Sequence, residues 1–347
     1  MNGRRAFLAL LAGMPGVALA QGFAGLGTTA EGFSVPRRGT DLRFPQDHGP
    51  HPDFRIEWWY LTSNLRGLDG TEYGLQFTLF RSALAPQTRD GWDDPQIWLG
   101  HAAVTTPQAH HVAERYARGG IGQAGVVAQP FRAWIDEWEM SGEIDRLRLS
   151  AAGQDFGYDV ELTADGPLVL HGDNGFSVKS QQGQASYYYS QPFYTVTGQL
   201  WLPEGEVAVT GSAWLDREWS SQPLADTQSG WDWFSLSFDD GTKLMAFVLR
   251  ETGGGTFTSA TWITADGDTT AYGDGAIQAT PLEWHETAGR RLPVAWRLIL
   301  ADKAVDITLS PINPDSWMAT SVPYWEGPMR IDGTHMGRGY LEMTGYE

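Results

Sequence analysis

From Arg55 onward, apolar and polar side chains alternate in short runs separated by turn residues, the spacing of strands rather than of amphipathic helices. Asp69-Gly70, Asp165-Gly166, Asp240-Gly241 and Asp266-Gly267 each lie between two such runs, and this pairing suits tight hairpin turns. The pattern predicts an all-β, antiparallel protein. Strands are expected over 52–65, 72–81, 97–106, 131–140, 147–151, 158–163, 168–171, 186–194, 206–219, 230–238 and 243–250. Further strands follow over 256–264, 280–286, 293–300 and 304–310. Before them, residues 21–50 are dense in Gly, Pro and Thr without a sustained period, which predicts a leader or an irregular strap.

Within this pattern the segment Pro-Asp-Phe-Arg-Ile-Glu-Trp-Trp-Tyr-Leu-Thr-Ser-Asn-Leu, Pro52 to Leu65, carries charge in its most hydrophobic part. Strand alternation puts Arg55, Glu57, Trp59 and Leu61 on one face and Ile56, Trp58, Tyr60 and Thr62 on the other. A buried ion needs a partner, so Arg55 and Glu57 either neutralise each other or meet partners from neighbouring strands. Two readings fit Glu57: a structural ion pair at a barrel end, or a ligand-facing carboxylate beside tryptophans.

A second segment, Glu206 to Trp219, ends in Trp-Leu-Asp-Arg-Glu-Trp. Alternation points Trp214, Asp216 and Glu218 one way and Leu215, Arg217 and Trp219 the other. Two carboxylates on one face raise each other's pKa, which fits an acid/base pair; the competing reading is a charged strand end beside arginines. Tyr187, Tyr188 and Tyr189 in a row place aromatics on both faces of a strand, as ligand-lining segments and doubly packed sheets both do. His101, inside Trp-Leu-Gly-His-Ala-Ala-Val-Thr, reads either as a hydrogen-bonded core residue or as a proton carrier. Trp231 and Trp233 share a face, with Asp232 opposite.

Charge and ends narrow the function. Lys and Arg number 24 against 42 Asp and Glu, a net charge of −18, which disfavours nucleic acid and anionic membrane surfaces as partners. Residues 1–20, with Arg4-Arg5, an apolar run and Ala18-Leu19-Ala20, read as an export signal of the twin-arginine kind. The expected location after cleavage near Ala20 is the periplasm or the exterior. No later apolar run approaches the roughly 18 residues of a spanning helix, so a membrane-spanning protein is not expected. The absence of cysteine excludes thiolate chemistry and a lipidated N-terminal cysteine. The sequence contains no phosphate-cradling glycine loop, Gly-x-Ser-x-Gly elbow, His-Glu-x-x-His or zinc spacing, and His110 and His111 face opposite ways on a strand. Neither a metal nor a cofactor is expected.

Four separated motifs carry a family resemblance: Ile-Glu-Trp-Trp-Tyr-Leu-Thr-Ser-Asn-Leu; the His-Ala-Ala strand followed by Glu114, Arg115 and Arg118; Trp-Leu-Asp-Arg-Glu-Trp with Gly-Trp-Asp-Trp and the Leu-Met and Arg strand; and the closing Tyr324-Trp325-Glu326-Gly327-Pro328 with 337–346. Together they resemble the AttH and carotenoid 1,2-hydratase (CrtC) family of double lipocalin-like proteins, with Arg217 where that family commonly has His. The resemblance implies two lipocalin-like antiparallel barrels, placed at 35–220 and 221–347 on the polar connector Trp219 to Gly230, with a last strand sealing the second barrel. It also implies an apolar ligand, either carried or hydrated at a C=C bond without a cofactor. For hydration the catalytic candidates are Asp216, then Glu218, with Glu57 near the cavity mouth; Trp58, Trp59, Tyr60, His101, Trp214, Trp219, Trp231, Trp233 and Arg250 are the binding candidates. Two alternatives stay open: a non-enzymatic accessory of an ABC export system, and a carbohydrate-active protein using Asp216 and Glu218.

Overall fold

In the computed structural model, which describes residue 26 and residues 30–346, the alternating segments become two antiparallel sheets. The first is built from β1 (Ile56–Gly67), β2 (Glu72–Ala83), β3 (Gln96–Thr105), β4 (His110–Arg118), β5 (Ala124–Ala128), β6 (Phe131–Ile135), β7 (Trp138–Glu143), β8 (Arg146–Ala152), β9 (Gly157–Ala164), β10 (Val169–Leu170), β11 (Phe176–Val178), β12 (Ala185–Leu202) and β13 (Gly205–Ser220). The second takes β14 (Gln228–Phe238), β15 (Lys243–Glu251), β16 (Thr256–Ile263), β17 (Thr269–Tyr272), β18 (Ile277–Thr287), β19 (Arg290–Leu300), β20 (Val305–Pro311), β21 (Trp317–Met318), β22 (Tyr324–Gly333) and β23 (Gly337–Met343). The first sheet runs in the order β4-β3-β2-β1-β13-β12-β9-β8-β7-β6-β5, the second β17-β16-β15-β14-β23-β22-β20-β19-β18. Both sheets curl until distant strands meet, β6 reaching β2, β3 and β4, and β16 reaching β18.

One expectation changes. The segment 131–140 is not one strand but a hairpin, β6 to β7, turned at Asp136 with φ 51°. The last strand, β23, pairs with β14 and β22 and so covers the edges of both, while the ends of the sheet fall at β17 and β18.

Each curl is filled. Trp59, Leu61, Phe77, Trp138 and Val160 pack inside the first, Phe234, Trp262, Trp296, Trp325 and Met329 inside the second. A third apolar cluster, including Tyr60, Tyr188, Trp214, Trp233 and Phe247, joins the outer faces of the two sheets. Close approach there depends on Gly74 of β2: a Cβ at this position would lie 2.6 Å from Pro328 Cγ of β22. Tyr187 and Tyr189 turn to the opposite side from Tyr188 and pack with Trp219 beneath Leu42 and Phe54 of the irregular strap.

Glu57 is fully buried, and its counter-charges come from two other strands. Arg81 Nε donates to Oε1, and Arg217 Nη2 to Oε2 at 3.3 Å; the strap adds His51 N at 2.9 Å, and His51 Nδ1 lies 3.0 Å from Oε2. Of the two expected arrangements for Glu57, partners from neighbouring strands are the one observed. Arg217 also donates to the Trp58 and Gly49 carbonyls at 2.8 Å and lies 3.9 Å over the Trp59 ring. Burial alone would raise the Glu57 pKa, but Arg81, His51 and Arg217 reverse this and hold it far below the ordinary carboxylate range.

Removing the charge with Glu57→Gln strands two buried guanidinium groups, so we expect a loss of about 3–5 kcal/mol in urea denaturation at neutral pH. Because the folded pKa is depressed below the ordinary 4.5, that contribution is complete above this value and fades on acidification. The gap between wild type and variant should narrow as the pH falls below about 4.

Candidate active site between the two sheets

The face of β1 opposite Glu57 opens onto a cavity of about 340 Å³ between the sheets. Its first-sheet wall carries Trp58, Tyr60, Phe80, His101, Asp216 and Glu218; its second-sheet wall carries Trp231, Trp233, Phe247, Tyr324 and Glu342. A cavity of this size, largely apolar with a few converging polar groups, suits a small hydrophobic molecule.

Asp216 lies deepest among neutral donors. Oδ1 accepts from Ser190 Oγ and from Trp214 Nε1 at 2.7 Å, while Oδ2 accepts from the Tyr188 hydroxyl at 2.9 Å. Tyr188 in turn accepts from Trp233 Nε1 at 3.0 Å, and His171 Nε2 lies 2.6 Å from Ser190 Oγ. Burial pushes the Asp216 pKa up to about 7, with the Glu218 charge adding to the rise and the three donors only partly opposing it. Glu218 forms an ion pair with Lys179 Nζ at 2.9 Å and accepts from Ser186. Lys179 also lies over the Tyr188 and Phe247 rings at 4.8 and 4.2 Å.

A second acidic centre comes from the other sheet. Glu326 of β22 and Glu342 of β23 are direct cross-strand partners; Glu326 is buried and Glu342 partly buried, at the cavity wall. Tyr60 donates to Glu326 Oε2 at 2.7 Å, and Trp231 Nε1 to Glu342 Oε1 at 2.6 Å. Burial and then the Glu342 charge push Glu326 well above the ordinary range; burial, followed by Asp216 and Glu218, pushes Glu342 to about 7. Two adjacent carboxyls in so dry a place hold at least one proton between them at neutral pH.

This site sits in a known setting, since the AttH-like family model matches residues 35–346. The chain belongs to the AttH-like family. A crystal structure of a candidate AttH from Nitrosomonas europaea is similar at TM-score 0.81 and 34% identity, covering 91% of this chain and 100% of that one. Kievitone hydratase from Nectria haematococca gives TM-score 0.68 at 16% identity over 90% and 98% of the two chains. CghA with Sch210972 gives 0.54 at 10% over 91% and 97%. These last two share the fold. No curated protein matches the sequence.

In this AttH-like chain the structure brings together Asp216, Glu218, Trp58, Tyr60, His101, Trp231 and Trp233 on the cavity wall, with Trp214 behind Asp216. It separates Glu57, Trp59 and Trp219, which lie on the far face of the same strands: Trp59 is in the first core, and Trp219 stacks on His51 at 4.0 Å. Arg250 donates to Asp232 at 2.6 Å and to the Thr344 carbonyl, outside the cavity lining. Sequence reasoning missed Lys179, Glu326 and Glu342 as site residues. The last two stand inside the closing motif, where a buried-carboxylate test on Tyr-Trp-Glu-Gly and Tyr-Leu-Glu-Met would have flagged them.

An acid whose pKa is higher folded than unfolded costs stability as it ionises. Between its ordinary 3.8 and about 7, native Asp216 binds more protons than the unfolded chain, so stability falls as pH rises through that window. Asp216→Asn should remove this slope, reducing the loss between pH about 5 and about 8 by about 1–4 kcal/mol in urea titrations.

Proposed function

We propose that the protein is a cofactor-free hydratase that binds a hydrophobic, isoprenoid- or lipid-like molecule between its two barrels and adds water across a C=C bond. The observation carrying this reading is Asp216, a carboxylic acid retained as a proton donor near neutrality in the wall of an aromatic cavity. Oδ1 accepts from two donors, Ser190 and Trp214, and Oδ2 from one, Tyr188, so Oδ2 is the oxygen with a lone pair left to carry the proton. Delivery to the alkene, directly or through the Tyr188 hydroxyl, creates a carbocation that the faces of Trp58, Trp231 and Trp233 stabilise until water adds. The family resemblance to carotenoid 1,2-hydratase and the fold shared with kievitone hydratase support the same chemistry. Against the carbohydrate alternative, Glu218 is tied to Lys179 rather than free to act with Asp216. Export is also proposed, on residues 1–20, which lie outside the described residues.

With a panel of isoprenoids, fatty acids and short oligosaccharides, an apolar ligand should quench tryptophan fluorescence and be hydrated. Asp216→Asn should keep the binding and lose about 10²–10⁴ of the turnover. The rate should fall as pH rises through about 7, where the acid loses its proton. Binding without product in the wild type would replace the hydratase with a carrier; quenching by sugars alone would reject both.

A further inference from the structure

On the second-sheet side of the cavity, a line of polar groups leads from the buried glutamate pair to the protein surface. Glu326 Oε1 lies 3.5 Å from the Tyr324 hydroxyl, Tyr324 Oη is 3.0 Å from His101 Nδ1, and His101 Nε2 is 3.2 Å from Glu114 Oε1. The first three residues are buried, whereas the Glu114 side chain is 23% exposed. At that end Glu114 also accepts from Ser321 N at 3.0 Å, Ser321 Oγ at 2.7 Å and Tyr116 Oη at 3.4 Å, all at an exposed margin.

The direction of each hydrogen follows from the ends of the line. Burial would raise the Glu114 pKa, but donors from His101 and Ser321 outweigh it and bring it to about 2. Glu114 is therefore a carboxylate, and His101 Nε2 carries the hydrogen that it accepts. His101, kept neutral by burial, then has a free lone pair on Nδ1 to accept from Tyr324. The Tyr324 oxygen is left to accept from Glu326, which its burial beside Glu342 keeps protonated. Every link thus points outward, and a concerted shift moves one proton from Glu326 to Glu114. The route crosses from β22 of one sheet to β3 and β4 of the other, so it exists only where the sheets dock.

We propose that Glu342 accepts the proton released by the adding water, shares it with Glu326, and that Tyr324, His101 and Glu114 conduct it to solvent. The first part rests on the hydratase reading; the route does not. Asp216 gives its proton to one alkene carbon, the water oxygen bonds to the other, and one water O–H breaks toward the Glu342 carboxylate. The excess proton leaves through Glu114, and Asp216 recovers one from solvent water at the cavity, so the net reaction is alkene plus water to alcohol.

A bland alternative is that these residues only fasten the sheets together. Infrared spectroscopy of the ligand-free full chain separates the two, using an Asp216→Asn background to remove that acid's band. At neutral pH a protonated-carboxyl stretch should be present, and Glu326→Gln should abolish it. On transfer to D2O its exchange should slow severalfold in Tyr324→Phe, which keeps the ring, and independently in His101→Phe, with folding verified by circular dichroism. Absence of the band, or exchange unchanged in both variants despite lowered melting temperatures, overturns the route. Since no substrate is used, this result is independent of whether Asp216 catalyses hydration. Full turnover by Glu342→Gln on a substrate that requires Asp216 would overturn Glu342 as acceptor.

Discussion

The buried attachment of Glu57 to Arg81 and Arg217 is the constraint on which the site depends. These residues lie on three adjacent strands, β2, β1 and β13, in the register Glu57 opposite Arg81 and next to Arg217's partner Trp59. Side chains alternate with period two, so a slip of one residue would turn the guanidinium groups into the cavity and drive Tyr60 and Asp216 into the core. No aqueous partner would be available for the displaced charges in either place. The ionic cluster therefore fixes the orientation of the cavity-lining face from behind, and only Arg81 of its members reaches the cavity wall.

Burial acts on Glu57 and Asp216 alike, yet it produces opposite acids. Glu57 is surrounded by Arg81, Arg217 and His51, and cations more than repay the loss of water. Asp216 is surrounded by Ser190, Trp214 and Tyr188, which donate hydrogen bonds but bring no charge, and Glu218 adds a repulsion. The carboxyl with cations is held ionised; the one with neutral donors keeps a proton near pH 7. Glu326 and Glu342 reach a similar end, chiefly by burial, with the Glu342 charge adding to the rise at Glu326 and the Asp216 and Glu218 charges to that at Glu342.

Much of this was legible in the chain. The alternation that split Trp58 and Tyr60 from Glu57 and Trp59 is the split the structure shows, as is the division of Asp216 and Glu218 from Arg217 and Trp219. What alternation does not say is which face meets the ligand. Trp59 and Trp219 were therefore grouped with the cavity tryptophans although they share their face with the buried ions. The Glu326–Glu342 pair was out of reach for a different reason. It becomes a pair only through the β22–β23 register, and it enters the site only through docking of the sheets, both long-range facts with no local signature.

Docking also explains why the site lies outside both barrels. The interiors are closed by their own apolar clusters, leaving the outer aromatic faces as the surfaces that need a partner. Tyr60 shows how tightly assembly and chemistry are joined: its ring meets Trp233 edge-on at 5.3 Å, and its hydroxyl reaches Glu326 at 2.7 Å. Asp216 comes from one sheet and Glu342 from the other, so neither half contains both carboxyls. A single polypeptide with two lipocalin-like barrels thereby places Asp216 and Glu342 on opposite walls of one apolar cavity, and the close approach of its sheets leaves no room for a Cβ at Gly74 beside Pro328.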